Sequence, residues 1–126
     1  MTPEGKVKKM IDNQLLAVGA YKHKPVQNGM GEPALDYHVC HRGFYVGIEA
    51  KAPDGFATPR QIRTMQKIEA AGGSVFLIIG TEGDDMAQLI GWLMHPVPGF
   101  LSASAAGIVG RPQTFQPDPP YEDEPE

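Results

Sequence analysis

The chain has 126 residues and a mass of 13.6 kDa, 41% hydrophobic and 21% charged, the size of one domain with a single modest core. Its one cysteine, Cys40, excludes an internal disulfide and a four-cysteine zinc site, no run reaches the ~18 apolar residues that cross a membrane, and the first residues lack the apolar stretch of a signal peptide, so a cytoplasmic chain with no membrane partner is expected. The net charge of −4 is unevenly spread, +3 over residues 1–72 and −7 over residues 73–126, which is the pattern of a basic front facing nucleic acid or another charged partner and an acidic tail.

Thr2 and Pro3 open a first helix. Val7, Ile11, Leu15 and Val18 recur along it at helical spacing, and Gly19 ends it. Lys6, Lys8 and Lys9 lie off that stripe and are expected in solvent. Residues 21–26 read as a short strand with alternating lysines, and residues 27–33 as an Asn-Gly-marked loop. Residues 34–40 and 44–50 form two strands around a turn at His41-Arg42-Gly43. After a second turn, Thr58-Pro59 with Gln61 carries the cap, first-position proline and glutamine of a capping box. The helix that follows buries Ile62, Met65 and Ile68 and stops at Gly72-Gly73. Residues 74–80 hold Val-Phe-Leu-Ile-Ile, a strand covered on both faces. A third helix starts at Thr81 or Asp84 and reaches about Met94. Leu101 to Gly110 is a short helix or a packed loop. Residues 111–126 contain five prolines and five acids and are expected to be disordered. The order α-β-β-β-α-β-α predicts an α/β chain with a mixed (α+β) sheet: an antiparallel meander, then a strand returning in parallel after a helical crossover.

The chemistry concentrates in residues 36–61. Glu49 and Lys51 are two apart on one strand, so they share a sheet face, while Phe44, Val46, Ile48 and Ala50 take the other. The hairpin brings Asp36 near them. Carboxylate oxygens are hard ligands for Mg²⁺ or Mn²⁺, and such an ion neutralises a phosphodiester and lowers the pKa of a bound water. A lysine beside that water orients it, or helps remove its proton, and stabilises the developing charge. The backbone carbonyl of Ala50 offers a further ligand. Glu-x-Lys alone reads first as a solvated face with a weak ion pair; the combination of an aspartate, a hairpin and a capped helix favours a site. Arg60, Arg63 and Lys67 on that helix read as phosphate contacts or as a solvated face, and Lys22 and Lys24 on the first strand add to the basic surface for DNA. His38, Cys40 and His41 suit a zinc tetrahedron poorly, because only His38 and Cys40 share a face. His38 then lines the cleft, and Cys40 is expected to be a small buried residue. Trp92 and Phe100 read as core or interface.

This set resembles the VRR-NUC branch of the PD-(D/E)XK nuclease superfamily over roughly residues 4–80. The matching residues are Glu4, Gly31-Glu32-Pro33 leading to Asp36, and Phe44-Tyr45-Val46-Gly47-Ile48-Glu49-Ala50-Lys51-Ala52. Gly55, Thr58-Pro59-Arg60-Gln61 and Ala70-Ala71-Gly72-Gly73 follow. The resemblance implies a restriction-endonuclease-like α-β-β-β-α-β core over 1–95, a small-residue-rich extension over 96–110 and the tail over 111–126. It implies metal-dependent cleavage of DNA, often branched, flapped or junction DNA, by a small stand-alone protein of a bacterium or a phage-infected cell. Asp36, Glu49, the Ala50 carbonyl and Glu4 become metal ligands; Lys51, Gln61 and Glu49 become catalytic. Glu4 reads also as a helix-dipole acid, and Gln61 as the capping-box partner of Thr58. One departure stands out: the family has Gly-x-Pro-Asp, whereas here Ala34 and Leu35 separate Pro33 from Asp36. Two readings follow, an endonuclease or a catalytically degenerate nuclease fold that binds DNA or a protein. Symmetric cutting of two strands would need two copies of the site, hence a homodimer.

Overall fold

In the computed structural model residues 1–26 and 33–110 are described; most of the loop expected at 27–33 and the disordered tail expected at 111–126 lie outside them. Thr2 accepts the Gly5 N–H at 3.0 Å, and α1 runs Pro3–Val18 until Gly19 turns left-handed at φ 71°. Val7, Ile11 and Leu15 are fully buried. Val18, expected on the same stripe, is exposed, because three residues after Leu15 the helix has carried it about 60° off that line.

Three strands, β1 (Tyr21–His23), β2 (Tyr37–His41) and β3 (Phe44–Lys51), make an antiparallel meander. Arg42 and Gly43, at φ 53° and 86°, form its two-residue turn. Both β1 and β2 are shorter than the sequence predicts. Pro25 follows β1 closely and has no N–H for a ladder. β2 begins after Asp36, whose side chain takes over a backbone role described below. Helix α2 (Pro59–Ala70) then crosses over to β4 (Ser74–Ile79), which pairs in parallel with β3 from Val46↔Ser74 to Lys51↔Ile79. The sheet order is β1-β2-β3-β4. Helices α3 (Asp84–Met94) and α4 (Ala103–Ala106) follow.

The sheet has a core on each side. Val46, Ile48, Ala50, Phe76 and Ile78 face α1 and α3, where they meet Ile11, Leu89 and Trp92. Val75 and Leu77 face α2 and α4 through Met65 and Ala105. Only Met65 of the expected α2 stripe is fully buried; Ile62 and Ile68 are half-buried at its margins. Trp92 is buried, and Phe100 packs against the same cluster. His41 is buried with its Nε2–H donating to the Leu93 carbonyl at 2.8 Å. Cys40, expected inside, is exposed, because period-two alternation sends it to the sheet side that β2 does not share with α1.

Residues after α3 close the outer edge of β4, which as an unpaired edge would invite pairing with another chain. Leu101 bridges to Val75. The Ser102 hydroxyl accepts the Leu77 N–H at 3.0 Å and donates to the Leu77 carbonyl at 3.2 Å. The buried Asp85 carboxylate accepts the Ser104 N–H at 2.8 Å, the Ser104 hydroxyl at 2.6 Å and the Ile79 N–H at 3.3 Å. One carboxylate thus ties α3, β4 and α4 together. Asp85→Ala leaves three donors without an acceptor and should lower stability by about 3 kcal/mol, read as a fall in the urea midpoint with an unchanged slope.

Candidate active site

The site forms where β3 ends, at the margin of the sheet that carries the N-terminus of α1 and the start of α2. Glu49 is on the α2 side of β3 and is 3% exposed. Two residues earlier on the same face, Gly47 has no side chain and so admits Ile68 and Leu35: a methyl there would lie 2.8 Å and 3.0 Å from their terminal carbons. Leu35 is fully buried in that cluster. The two residues that separate Pro33 from Asp36 are thereby accommodated, with Leu35 plugged into the core and Asp36 delivered beside Glu49.

Asp36 lies on the bend before β2 rather than on the strand. Its N–H donates to Glu49 Oε1 at 3.2 Å, and its Oδ2 accepts the Ala50 N–H at 2.9 Å. A carboxylate therefore stands in for the carbonyl that a longer β2 would have offered to Ala50. Tyr37↔Ile48 is the last ladder pair, so Asp36 sits opposite Glu49, as the hairpin spacing requires.

Glu49 Oε2 has two further partners, the Gln61 Nε2–H at 3.0 Å and Lys51 Nζ at 3.5 Å. Gln61 is held by its own helix end. Its Oε1 accepts the Thr58 N–H at 3.0 Å, and its N–H donates to the Thr58 hydroxyl at 3.2 Å. The capping role and the contact to Glu49 thus coexist in one side chain. Lys51, 15% exposed at its side chain, points into the same cleft.

Lys8 is the participant the sequence does not reveal. Expected in solvent, it is half-buried, 3.7 Å from Asp36 Oδ1 and 3.2 Å from Glu4 Oε2. Glu4 reaches the carboxylates through this lysine. The one available signal was the i, i+4 spacing of Glu4 and Lys8 on a helix. Burial opposes the Lys8 charge, but Asp36, Glu4 and Glu49 outweigh it and hold its pKa above the ordinary value. Lys22 and Lys24 pair with Asp12 at 3.0 Å and 3.3 Å, about 12 Å along α1 from Glu4, so the structure does not bring them to the carboxylates. Arg60 and Arg63 are half-buried on α2, and Lys67 is exposed. The hydroxyl of Tyr45 hydrogen-bonds His38 Nδ1, away from Asp36.

Two carboxylates share one small volume, and the electrostatics register it. Burial, and then the neighbouring Asp36 charge, push the Glu49 carboxyl up to about 7 against the pull of Lys51. Among the described residues no group of three or more His, Cys, Asp or Glu side chains is placed to hold a metal ion. The donors present nonetheless fit one class of ion: Mg²⁺ is commonly bound by one or two carboxylates, with waters and substrate phosphate completing the shell.

No family model matches the chain, and no curated protein does. A solved structure described as a VRR_NUC domain superposes with a TM-score of 0.56 at 23% identity, covering 77% of this chain and 100% of that one. The chain therefore has the fold of a VRR_NUC domain, a mixed α+β sheet of the restriction-endonuclease-like type. Among the described residues no helix is long and apolar enough to cross a membrane.

The raised Glu49 carboxyl makes a stability prediction. The folded state holds this proton more tightly than the unfolded chain does, so its contribution is fully present below about 4.5 and is lost as pH rises to about 7. Glu49→Gln stays neutral at every pH. In EDTA it should match the wild type at pH 4 and exceed it by about 3 kcal/mol at pH 8, measured by urea unfolding at the two pH values. The wild type proving equally or more stable at pH 8 would show that Glu49 is not held in an unfavourable charged state.

Proposed function

We propose that the chain is a VRR-NUC-type, divalent-metal-dependent endodeoxyribonuclease that hydrolyses phosphodiester bonds in branched, flapped or junction DNA. The observation that carries this reading is the convergence of Asp36, Glu49 and Lys51 at one margin of the sheet, on a fold shared with a VRR_NUC domain. Asp36 and Glu49 would hold Mg²⁺ or Mn²⁺, with Glu4 beside them. The Ala50 carbonyl fits as a further ligand, since a strand residue's N–H and C=O point to the same side and the Ala50 N–H already meets Asp36. The ion when bound supplies charge neutralisation at the phosphate and a more acidic water.

The remaining work belongs to the chain's own side chains. Lys51 extends from the end of β3 into the cleft, where its ammonium orients the attacking water and stabilises negative charge developing on the phosphate. Gln61 fixes one oxygen of Glu49 through its amide and keeps that carboxylate aimed. Arg60, Arg63 and Lys67 present cations along α2 for the DNA backbone. Cutting both strands of a symmetric substrate would take two copies of the chain.

A second reading, a nuclease fold that binds DNA without cutting it, is favoured by Lys8, which already places a positive charge 3.7 Å from Asp36. One experiment separates the two. Wild-type protein should nick flapped DNA in Mg²⁺ or Mn²⁺ and stop in EDTA. Lys51→Ala should lose at least a hundredfold in cleavage rate, on the order of one missing charge-stabilising group, while keeping its low-salt DNA affinity. Binding without cleavage by the wild type in either metal selects the second reading, and cleavage by Lys51→Ala at the wild-type rate removes the lysine from the mechanism.

A further inference from the structure

The turn that follows Lys51 carries an aromatic ring that neither core uses. Phe56 is 78% exposed. It is absent from both hydrophobic clusters, and among the described residues its ring makes no aromatic contact.

Its position is nevertheless fixed from both sides. Residues 52–55 form a turn closed by the Gly55 N–H donating to the Ala52 carbonyl at 2.8 Å. Gly55 lies directly against the catalytic-site lysine: a methyl added to it would be 3.1 Å from Lys51 Cβ. The turn is held from behind, where the Gly80 N–H donates to the Lys51 carbonyl at 2.9 Å, and a methyl on Gly80 would lie 3.5 Å from Pro53. On the other side Ala57 is buried against the second core, and Thr58 caps α2. Phe56 is thus a single solvated ring strung between two anchored residues, one of which touches Lys51.

A lone exposed phenylalanine is ordinary on a protein surface. One whose chain neighbour, Gly55, rests on Lys51 Cβ is a single residue from the wall of that cleft, in reach of whatever occupies it. The turn offers Pro53, the acid Asp54 and the ring, and no cation, which suits the face of a base and not a phosphate. A protein partner or second copy would need some 20–30 residues on this surface, far more than one turn supplies. We infer that Phe56 is a base-stacking residue, the platform for an unpaired nucleotide next to the phosphate that Lys51 and a cation bound at Asp36 and Glu49 would hold. In a continuous duplex each base face is covered by its neighbours, so the ring finds a partner only where the strand is single or frayed. This deepens the proposed nuclease reading and rests on it for the placement of DNA, but stacking itself needs no cleavage.

The test uses full-length protein in EDTA. Trp92 is the only tryptophan and is 4% exposed, so wild-type emission should not respond to DNA. Phe56→Trp should be quenched by a twelve-nucleotide oligo(dT) and unchanged by a relaxed, covalently closed plasmid, which has no unpaired end. Phe56→Ala should bind the oligonucleotide about tenfold more weakly, Phe56→Tyr should bind it as the wild type does, and both should melt as the wild type does, since the residue is 78% exposed and outside both cores. Oligonucleotide binding seen by anisotropy without quenching overturns the inference. So do equal quenching by the plasmid, unchanged affinity in Phe56→Ala, and absence of oligonucleotide binding. Quenching by a protein that cleaves nothing in Mg²⁺ or Mn²⁺ keeps the stacking site and removes the nuclease reading; cleavage without quenching removes the stacking site alone.

Discussion

Glu49 is a carboxylate near the end of an inner strand, in a sheet that has apolar layers on both faces. Such a group is costly to bury unless its oxygens find donors. Here one oxygen takes the backbone N–H of Asp36, and the other takes the amide of Gln61 with Lys51 close by. The surrounding structure can be understood as the supply of those donors. The bend at Asp36, the capping box of α2 and the end of β3 all meet at this one side chain.

That convergence explains why the neighbouring elements stop where they do. β2 begins at Tyr37 because the Asp36 carboxylate, instead of another main-chain carbonyl, receives the Ala50 N–H. α2 starts at Pro59 because Thr58 and Gln61 bond each other reciprocally, and that exchange leaves the Gln61 amide nitrogen pointing at Glu49. Helix capping and site construction are thus the same set of hydrogen bonds. Lys8 adds the counter-charge from α1, whose N-terminal half lies against this end of the sheet. The carboxylates are thereby held close together, at the cost of a Glu49 proton affinity raised well above normal.

At the opposite edge, buried polar groups do a different job. Ser74, Ser102 and Asp85 direct their side chains to backbone groups of the segment after α3 and of β4. None of them lies among the contacts of Glu49. Their presence shows that buried polarity in this chain is not confined to the candidate site; what distinguishes the site is two carboxylates within reach of one another, with lysines and an amide aimed at them.

The sequence alone determined the element order, the parallel return of β4 and the shared face of Glu49 and Lys51. These follow from local rules: caps, turn residues and the periods of strand and helix. It also located Thr58 and Gln61 at a helix start, since a capping box is a four-residue pattern. Tertiary structure decided what depends on residues far apart along the chain. Lys8 looks solvated on a helical wheel, and only the placement of α1 against the sheet brings it to Asp36. Cys40 looks like a small core residue, yet its sheet face is open at β2. The two residues inserted before Asp36 threatened the register in sequence, and only the packing of Leu35 beside Gly47 shows how they are absorbed. Phe56 carries no sequence signal at all. Its place beside the site comes through its neighbour Gly55, which lies on Lys51 in a turn pinned to Gly80, 25 residues further along the chain.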